Sequence, residues 1–140
     1  MIVLDTSGVL ALIDNNQPQH ERVRATVDSD KGPFILPEII LSEVDYMIST
    51  RVGVDAEIKL LRDVATDAYQ LESLAGEDIG VATDIIERYR DLGLGLADAA
   101  VVVIAARAGT TRLLTLDERH FRVVRPLRGG GSFVILPADA

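Results

Sequence analysis

The segment Ile2-Val3-Leu4-Asp5-Thr6-Ser7 opens the chain and decides how its fold begins. Three consecutive apolar side chains are typical of a short strand that is buried on both faces. Asp, Thr and Ser all accept backbone N–H bonds at helix starts, so a short helix is predicted from Thr6 onward. One such residue is enough to cap a helix, which leaves Asp5 free for another role.

Outward from this segment, apolar runs and helical patterns alternate along the chain. Further strands are predicted at residues 34–36, 69–71, 112–116 and about 122–124, with a possible edge strand at 132–136. Helices are predicted at 6–13, in a polar stretch ending near 29, at 37–50, at about 55–66, between 79 and 92, and at 98–108. Strands that alternate with helices predict an α/β fold with a central, mainly parallel sheet of four to five strands flanked by helices.

Length and composition set the broad class of protein. With 140 residues, of which 48% are hydrophobic, the chain is expected to form a single domain over residues 1–140. No apolar run is long enough to span a membrane, and the sequence starts in a strand rather than in a signal peptide, so a cytoplasmic protein is expected. The absence of cysteine excludes disulfides, thiolate metal sites and cysteine nucleophiles.

The charge distribution bears on nucleic-acid binding. A net charge of −8 argues against non-specific binding, because that affinity comes mostly from Lys and Arg meeting phosphates. However, six arginines lie between Arg107 and Arg128, against only two acidic residues. These arginines could form a local basic face beside an acidic site, or they could be solvated side chains of separate elements.

Four acidic residues are candidates for catalysis: Asp5, Glu43, Asp98 and Asp117. Asp5 and Asp117 each end an apolar run, and the carboxyl ends of parallel strands are where ligands bind in such sheets. Asp98 begins an apolar helix, where capping is the simpler interpretation of this residue alone. Their combination from separate parts of the chain favours one acidic pocket.

Glu43 is the strongest single signal among the four acids. It lies three residues after Ile40 and four before Met47, on an apolar helix face that is counted from Leu36. A carboxylate on that face would be at least partly buried and would need a partner. The alternative is a glutamate at the edge of the face, paired with an arginine.

Hydroxyl side chains could support the acids. Thr6 and Ser7 could orient the Asp5 carboxylate or a bound water. Thr115, two residues before Asp117 on the same side of its strand, could line the same pocket.

Carboxylates gathered in one pocket repel each other, so they require cations or raised pKa values. An all-oxygen ligand set suits a hard cation, Mg²⁺ or Mn²⁺, better than Zn²⁺, and phosphodiester hydrolysis is the chemistry that such a site supports. The candidate metal ligands are Asp5, Asp98 and Asp117. This scheme needs neither histidine of the chain, and both His20 and His120 are expected at the surface.

Four motifs, taken in order, resemble the PIN-domain nucleases and, among these, the VapC-type toxins of bacterial toxin–antitoxin pairs. The resemblance covers essentially the whole chain, and it is specific because all four motifs occur with this spacing. They are Ile2-Val3-Leu4-Asp5-Thr6-Ser7, Ser42-Glu43-Val44, Leu94-Gly95-Leu96-Ala97-Asp98-Ala99 and Thr115-Leu116-Asp117-Glu118-Arg119-His120-Phe121.

The resemblance implies a PIN-like three-layer fold and an Mg²⁺- or Mn²⁺-dependent endoribonuclease. It also implies a structured RNA substrate such as tRNA or rRNA, a homodimer, and inhibition by a cognate VapB-type antitoxin. The family's acidic quartet matches Asp5, Glu43, Asp98 and Asp117, and its supporting Thr/Ser/Asn position matches Thr115. Some members carry another acid where this chain has Arg119, which leaves a second metal position open.

Three other classes of function remain as alternatives. A Mg²⁺-dependent phosphatase of the haloacid-dehalogenase type needs a second Asp two residues after the first, where this chain has Ser7. A phosphoacceptor receiver domain needs a Lys near the later strand ends, but the only lysines are Lys31 and Lys59. If the acids do not converge, a non-catalytic interaction module is the remaining interpretation.

Overall fold

The computed structural model describes all 140 residues and alternates strands with helices from its first element onward. The strands are β1 (Ile2–Leu4), β2 (Phe34–Pro37), β3 (Gln70–Glu72), β4 (Arg112–Leu114) and β5 (Val134–Leu136). The helices are α1 (Thr6–Ile13), α2 (His20–Asp28), α3 (Glu38–Arg51), α4 (Val54–Ala65), α5 (Gly76–Arg88), α6 (Leu96–Ala108) and α7 (Glu118–Phe121), with a 3₁₀ turn at Arg90–Leu92.

All five strands form one parallel sheet in the order β3-β2-β1-β4-β5. Val3 of β1 is in register with Ile35 on one side and with Leu113 on the other. The chain adds strands first on one side of β1 and then on the other, so the direction of winding reverses between β1 and β4. The predicted α/β fold with a parallel sheet of four to five strands is confirmed.

Successive strand residues point to opposite faces of the sheet and form two separate cores. On one face, Val3 and its neighbours in the other strands pack against α5 and α6. On the opposite face, Ile2 and Leu4 pack with residues of α1, α2, α3 and α4. The sheet is therefore covered on both sides, which gives the three layers expected from the sequence.

The strand predicted at about 122–124 was wrong. Residues 122–124 follow the end of α7, and the Val124 amide donates to the His120 carbonyl, as in a helical turn. Phe121 and Val124 are three residues apart and are both buried, which is the spacing of one helical face. The fifth strand is instead β5, which lies within the edge strand predicted at 132–136.

Other differences from the predicted elements are small. Strand β4 ends at Leu114 rather than at Leu116, although the Thr115 amide still donates to the Leu136 carbonyl of β5. The last predicted helix begins at Leu96, two residues before Asp98. None of the helices combines the length and the apolar character that crossing a membrane requires.

Candidate acidic active site

The candidate site lies where the winding of the sheet reverses, at the carboxyl ends of β1 and β4. Asp5 directly follows β1, and Asp117 follows β4 after two intervening residues. Asp98 reaches the same place from the first turn of α6. In open parallel sheets this position is the usual ligand-binding crevice, because the connections on its two sides diverge.

A glycine allows α1 to approach the end of β4. A Cβ atom added at Gly8 would lie only 2.2 Å from the carbonyl oxygen of Leu114, which no side chain can tolerate. This close approach places Asp5 and Ser7 beside Thr115. Gly8 carries no signal of this role in the sequence, because the contact joins residues that are far apart along the chain.

Hydroxyl groups hold the Asp5 carboxylate in place. The Thr115 hydroxyl donates to Oδ2 of Asp5 at 2.7 Å and accepts from the Asp117 amide at 3.0 Å. The Ser7 hydroxyl accepts from the Leu116 amide at 2.9 Å and lies 3.2 Å from Oγ1 of Thr115. A connected set of hydrogen bonds thus joins the loop after β1 to the loop after β4.

Asp5 is only 5% exposed, and burial raises its pKa to about 6. The hydrogen bond from Thr115 and the backbone amide of Thr6 oppose this rise because they stabilise the ionised form. The negative charges of Asp98 and Asp117 raise the pKa of Asp5 further. Thr6 therefore contributes through its backbone, while no side-chain hydrogen bond is formed by its hydroxyl.

Asp98 lies in the first turn of α6, while the residue before that helix is Gly95, so Asp98 is not the helix cap that its sequence position favoured. Burial raises the pKa of Asp98, and His120 partly offsets this effect. Asp117 does cap a helix, since its Oδ1 accepts from the His120 amide at 3.0 Å. Its other carboxylate oxygen, Oδ2, faces the site.

His120 is a member of the acidic cluster, so the prediction that it lies at the surface was wrong. Its Nδ1 lies 2.9 Å from Oδ2 of Asp98 and 3.0 Å from Oδ2 of Asp117, and only 16% of its side chain is exposed. Both contacts are short, but neither has the geometry of a hydrogen bond. The spacing of three residues between Asp117 and His120, which is close to one turn of a helix, was the signal that could have revealed this contact.

His20 is also less exposed than expected. Its Nδ1 lies 2.7 Å from the Ala11 carbonyl oxygen, and the ring is half-buried at the wall of a cavity of about 490 Å³ between α1, α2 and α4. This contact joins α2 to α1, and no hydrogen bond links His20 to the acidic cluster.

Glu43 is exposed, so the prediction that it is at least partly buried was wrong. The buried residues of α3 are Ile40, Val44 and Ile48, which define a face with a spacing of four. Leu36 belongs to β2 rather than to this helix, so the predicted face was counted from a residue outside it. Helix α3 nevertheless packs against α1 and α6, the helices adjoining Asp5 and Asp98.

The arginines between 107 and 128 do not form one basic face. Arg112 begins β4, at the opposite end of the strand from the site, and pairs with Asp30 at 2.7 Å. Arg107, at the far end of α6 from Asp98, pairs with Glu72 and Asp78. The engaged arginines are therefore distributed over different edges of the molecule.

The donor set fits a hard divalent cation. One carboxylate oxygen each from Asp98 and Asp117 and a ring nitrogen of His120 lie within 4.8 Å of one another. Together with Asp5, these carboxylates carry more negative charge than one imidazole can balance. Carboxylate oxygens are the ligands that hard divalent cations prefer.

Comparison with known proteins agrees with this fold. The family model described as PIN domain matches residues 2–126. Ribonuclease VapC26 of Mycobacterium tuberculosis is 41% identical over 136 residues, which covers 97% of this chain and 100% of that protein.

Two solved structures share the fold. The crystal structure of Mycobacterium tuberculosis VapC20, described as a sarcin-ricin loop cleaving toxin, matches with a TM-score of 0.79 at 16% identity, over 92% of this chain and 100% of that chain. FitAcB from Neisseria gonorrhoeae matches with a TM-score of 0.59 at 19% identity, over 78% and 83% of the two chains. The family match across most of the chain, together with the extent of identity to a VapC ribonuclease, shows that the chain belongs to the PIN-domain family and, within it, to the VapC ribonucleases.

Proposed function

We propose that this protein is a metal-dependent endoribonuclease toxin that hydrolyses phosphodiester bonds in structured RNA. The observation that carries this proposal is the convergence of Asp5, Asp98 and Asp117 at the reversal point of the sheet. The whole chain acts as one PIN domain, because β5 lies beyond the matched residues 2–126 yet completes the sheet beside β4.

In this proposal, Asp5, Asp98 and Asp117 hold Mg²⁺ or Mn²⁺, and Glu43 is the fourth catalytic acid. A bound divalent cation would supply positive charge for the phosphate and for its leaving oxygen. Glu43 lies on α3, a helix that packs against α1 and α6, and its exposure makes it accessible to substrate and water.

The surrounding hydroxyls act by positioning. The short bond from Thr115 fixes Oδ2 of Asp5 and favours the ionised carboxylate that a cation requires. Ser7 holds the loop after β4 through the Leu116 amide. Thr6 assists through its backbone amide.

The substrate is proposed to be a structured cellular RNA, tRNA or rRNA. The structural similarity to VapC20, a toxin that cleaves the sarcin-ricin loop, supports this class of substrate. With a net charge of −8, the protein must recognise RNA mainly through shape and exposed loops rather than through bulk attraction.

The proposed partners are a second copy of the chain and a cognate VapB-type antitoxin. The proposed compartment is the cytoplasm, because that is where a tRNA or rRNA substrate would be met. An acidic pocket that holds a cation also suits an arginine from an inhibitor, which would neutralise the same carboxylates. A complex with the antitoxin that has no basic group near Asp5 and Asp98 would contradict this part of the proposal.

The proposed activity is tested with purified protein on total cellular RNA, with Mg²⁺ or Mn²⁺ and with chelator, followed by mapping of the cut ends. Asp98→Asn should lower cleavage on the order of 100-fold or more, because a carboxylate that holds the cation is lost. Glu43→Gln should have a comparable effect. Glu77→Gln is the matched control, because Glu77 is an exposed residue at the beginning of α5, and this variant should cleave RNA as the parent protein does.

Two results would decide against the ribonuclease. Intact RNA together with hydrolysis of a simple phosphomonoester would favour the phosphatase alternative. Intact RNA without metal binding, measured by titration calorimetry with Mn²⁺, would favour a non-catalytic interaction module.

A further inference from the structure

A small cavity of about 120 Å³ opens beside the acidic site. One wall is formed by Thr115 and Leu116, which immediately follow β4. The opposite wall comes from Gln19 and Arg22 at the beginning of α2, and Pro137 closes the cavity near the C-terminus. The position is set by the tertiary structure, since these segments are distant in sequence.

The cavity shares a wall with the machinery of the site. Thr115 donates its hydroxyl hydrogen bond to Asp5, and the Leu116 amide donates to Ser7. A group bound in the cavity would therefore lie immediately behind the hydroxyls that position Asp5. An RNA strand whose scissile phosphate lies at the carboxylates carries further phosphates on both sides of it.

Arg22 is the cation of this cavity, and no carboxylate pairs with it. Its Nη1 donates to Oε1 of Gln19 at 3.2 Å, and its Nη2 reaches the Pro137 carbonyl only at 3.5 Å. These neutral contacts orient the guanidinium without neutralising it. With Oε1 engaged in this way, the amide group of Gln19 keeps both of its N–H donors for another ligand.

The acidic residue at the rim does not oppose an anion strongly. Glu118 lines the cavity, but its Oε1 accepts from Nη2 of Arg122 at 2.8 Å and from Nε at 3.1 Å. Arg122 in turn also pairs with Asp139. Arg22 is thus the unpaired charge of the cavity, whereas Arg122 is saturated by two carboxylates.

We propose that this cavity is a subsite for an RNA backbone phosphate next to the scissile one, with Arg22 as its cationic ligand and Gln19 as a neutral donor. A guanidinium presents paired N–H donors that match the oxygens of a phosphate, and the bond is charge-assisted. The subsite offsets part of the repulsion between RNA and an acidic protein. This inference rests on the proposed ribonuclease function.

The test compares Arg22→Gln and Arg22→Lys with Arg24→Gln. Gln at position 22 keeps an amide donor for the Pro137 carbonyl but loses the charge, while Lys keeps the charge and loses the paired donors. Arg24 is an exposed residue of the same helix that pairs with Asp28, so it is the matched control.

For Arg22→Gln, KM for RNA cleavage should rise about tenfold with kcat little changed, since a charge-assisted contact to substrate is lost. The slope of log affinity against log salt should become shallower by about 0.7, the value for one phosphate contact on a single strand. Arg22→Lys should restore the salt slope with only part of the affinity. Arg24→Gln should match the parent protein in both measurements.

The outcome separates the subsite from the proposed activity. If the parent protein cleaves RNA and Arg22→Gln has an unchanged KM and salt slope, the subsite is refuted and the ribonuclease stands. If the parent protein cleaves no RNA, the ribonuclease fails, and binding of a fluorescent single-stranded oligoribonucleotide in chelator decides the subsite. Equal affinity of the parent and Arg22→Gln, or no binding by either, then refutes it.

Discussion

Replacing Asp5 by Asn should change the way in which the free energy of unfolding depends on pH. The pKa of Asp5 is raised to about 6 in the folded protein from an ordinary value of 3.8. This difference of 6 − 3.8, about 2 pKa units, corresponds to about 3 kcal/mol at 1.36 kcal/mol per unit. Because Asp5 is only 5% exposed, solvent screening reduces this value little.

The sign follows from proton binding. Between about pH 4 and pH 6 the folded protein binds a proton at Asp5 that the unfolded chain has released, so the free energy of unfolding falls as the pH rises. Above pH 6 both forms are ionised and this contribution is constant. The rise in the pKa of Asp98 adds a change of the same sign.

The assay is urea unfolding followed by circular dichroism from pH 4 to pH 8 in the presence of chelator. In the parent protein the free energy of unfolding should fall as the pH rises from 4 to 8. In Asp5→Asn this fall should be smaller by about 3 kcal/mol, because the asparagine side chain does not titrate. Asp55→Asn, an exposed change on α4, is the control and should follow the parent curve. Parallel curves for the parent and Asp5→Asn would refute the interpretation that burial raises the pKa of Asp5.

Addition of a divalent cation extends the same experiment. At pH 7.5, Mg²⁺ or Mn²⁺ should stabilise the parent protein by binding only to the folded state. The stabilisation should be smaller in Asp5→Asn, since one carboxylate of the ligand set is absent. Equal stabilisation of both proteins would show that the cation binds elsewhere.

Three further predictions concern neighbouring contacts. Gly8→Ala should destabilise the protein by roughly 1–3 kcal/mol or more, because the new Cβ overlaps the Leu114 carbonyl. Thermal unfolding measures this loss. A stability equal to that of the parent protein would show that α1 can move away from β4. Thr115→Val should raise the pKa of Asp5 further, since the hydroxyl that stabilises the carboxylate is lost. The pH–rate profile of RNA cleavage should then shift to higher pH. An unshifted profile would contradict the hydrogen bond from Thr115 to Asp5. Arg122→Ala should raise the pKa of Asp139 from about 2 towards 3.8, since two guanidinium bonds are lost, and carboxyl-carbon NMR titration against the parent protein tests this.

Much of the fold could be predicted because short buried strands and apolar helices follow local patterns of the sequence. The run Ile2-Val3-Leu4 is a strand, and residues 98–108 are helical, as their composition indicates. The strand predicted at about 122–124 failed because two buried residues with a helical spacing resemble a short apolar run. Local patterns do not distinguish a buried turn from an edge strand until the neighbouring strand is known.

The candidate site divides in a similar way. The sequence pointed to Asp5 and Asp117 because residues after buried strands gather at one edge of a parallel sheet. The predicted burial of Glu43 was wrong, because the helix face from which it was inferred included a residue of β2. The sequence also placed His120 at the surface, although the ring meets both Asp98 and Asp117.

By itself, the sequence determined the types of element, the parallel character of the sheet and the acids that follow its strands, because these depend on residues close together along the chain. Only the tertiary structure decided which acids are buried, how Thr115 fixes Asp5, and where Gly8 lets α1 meet β4. It also decided that Arg22 faces a cavity beside the site while Arg107 and Arg112 lie elsewhere. Burial, pKa shifts and charge pairing arise from contacts between distant segments, and these contacts exist only once the two layers of helices close on the sheet.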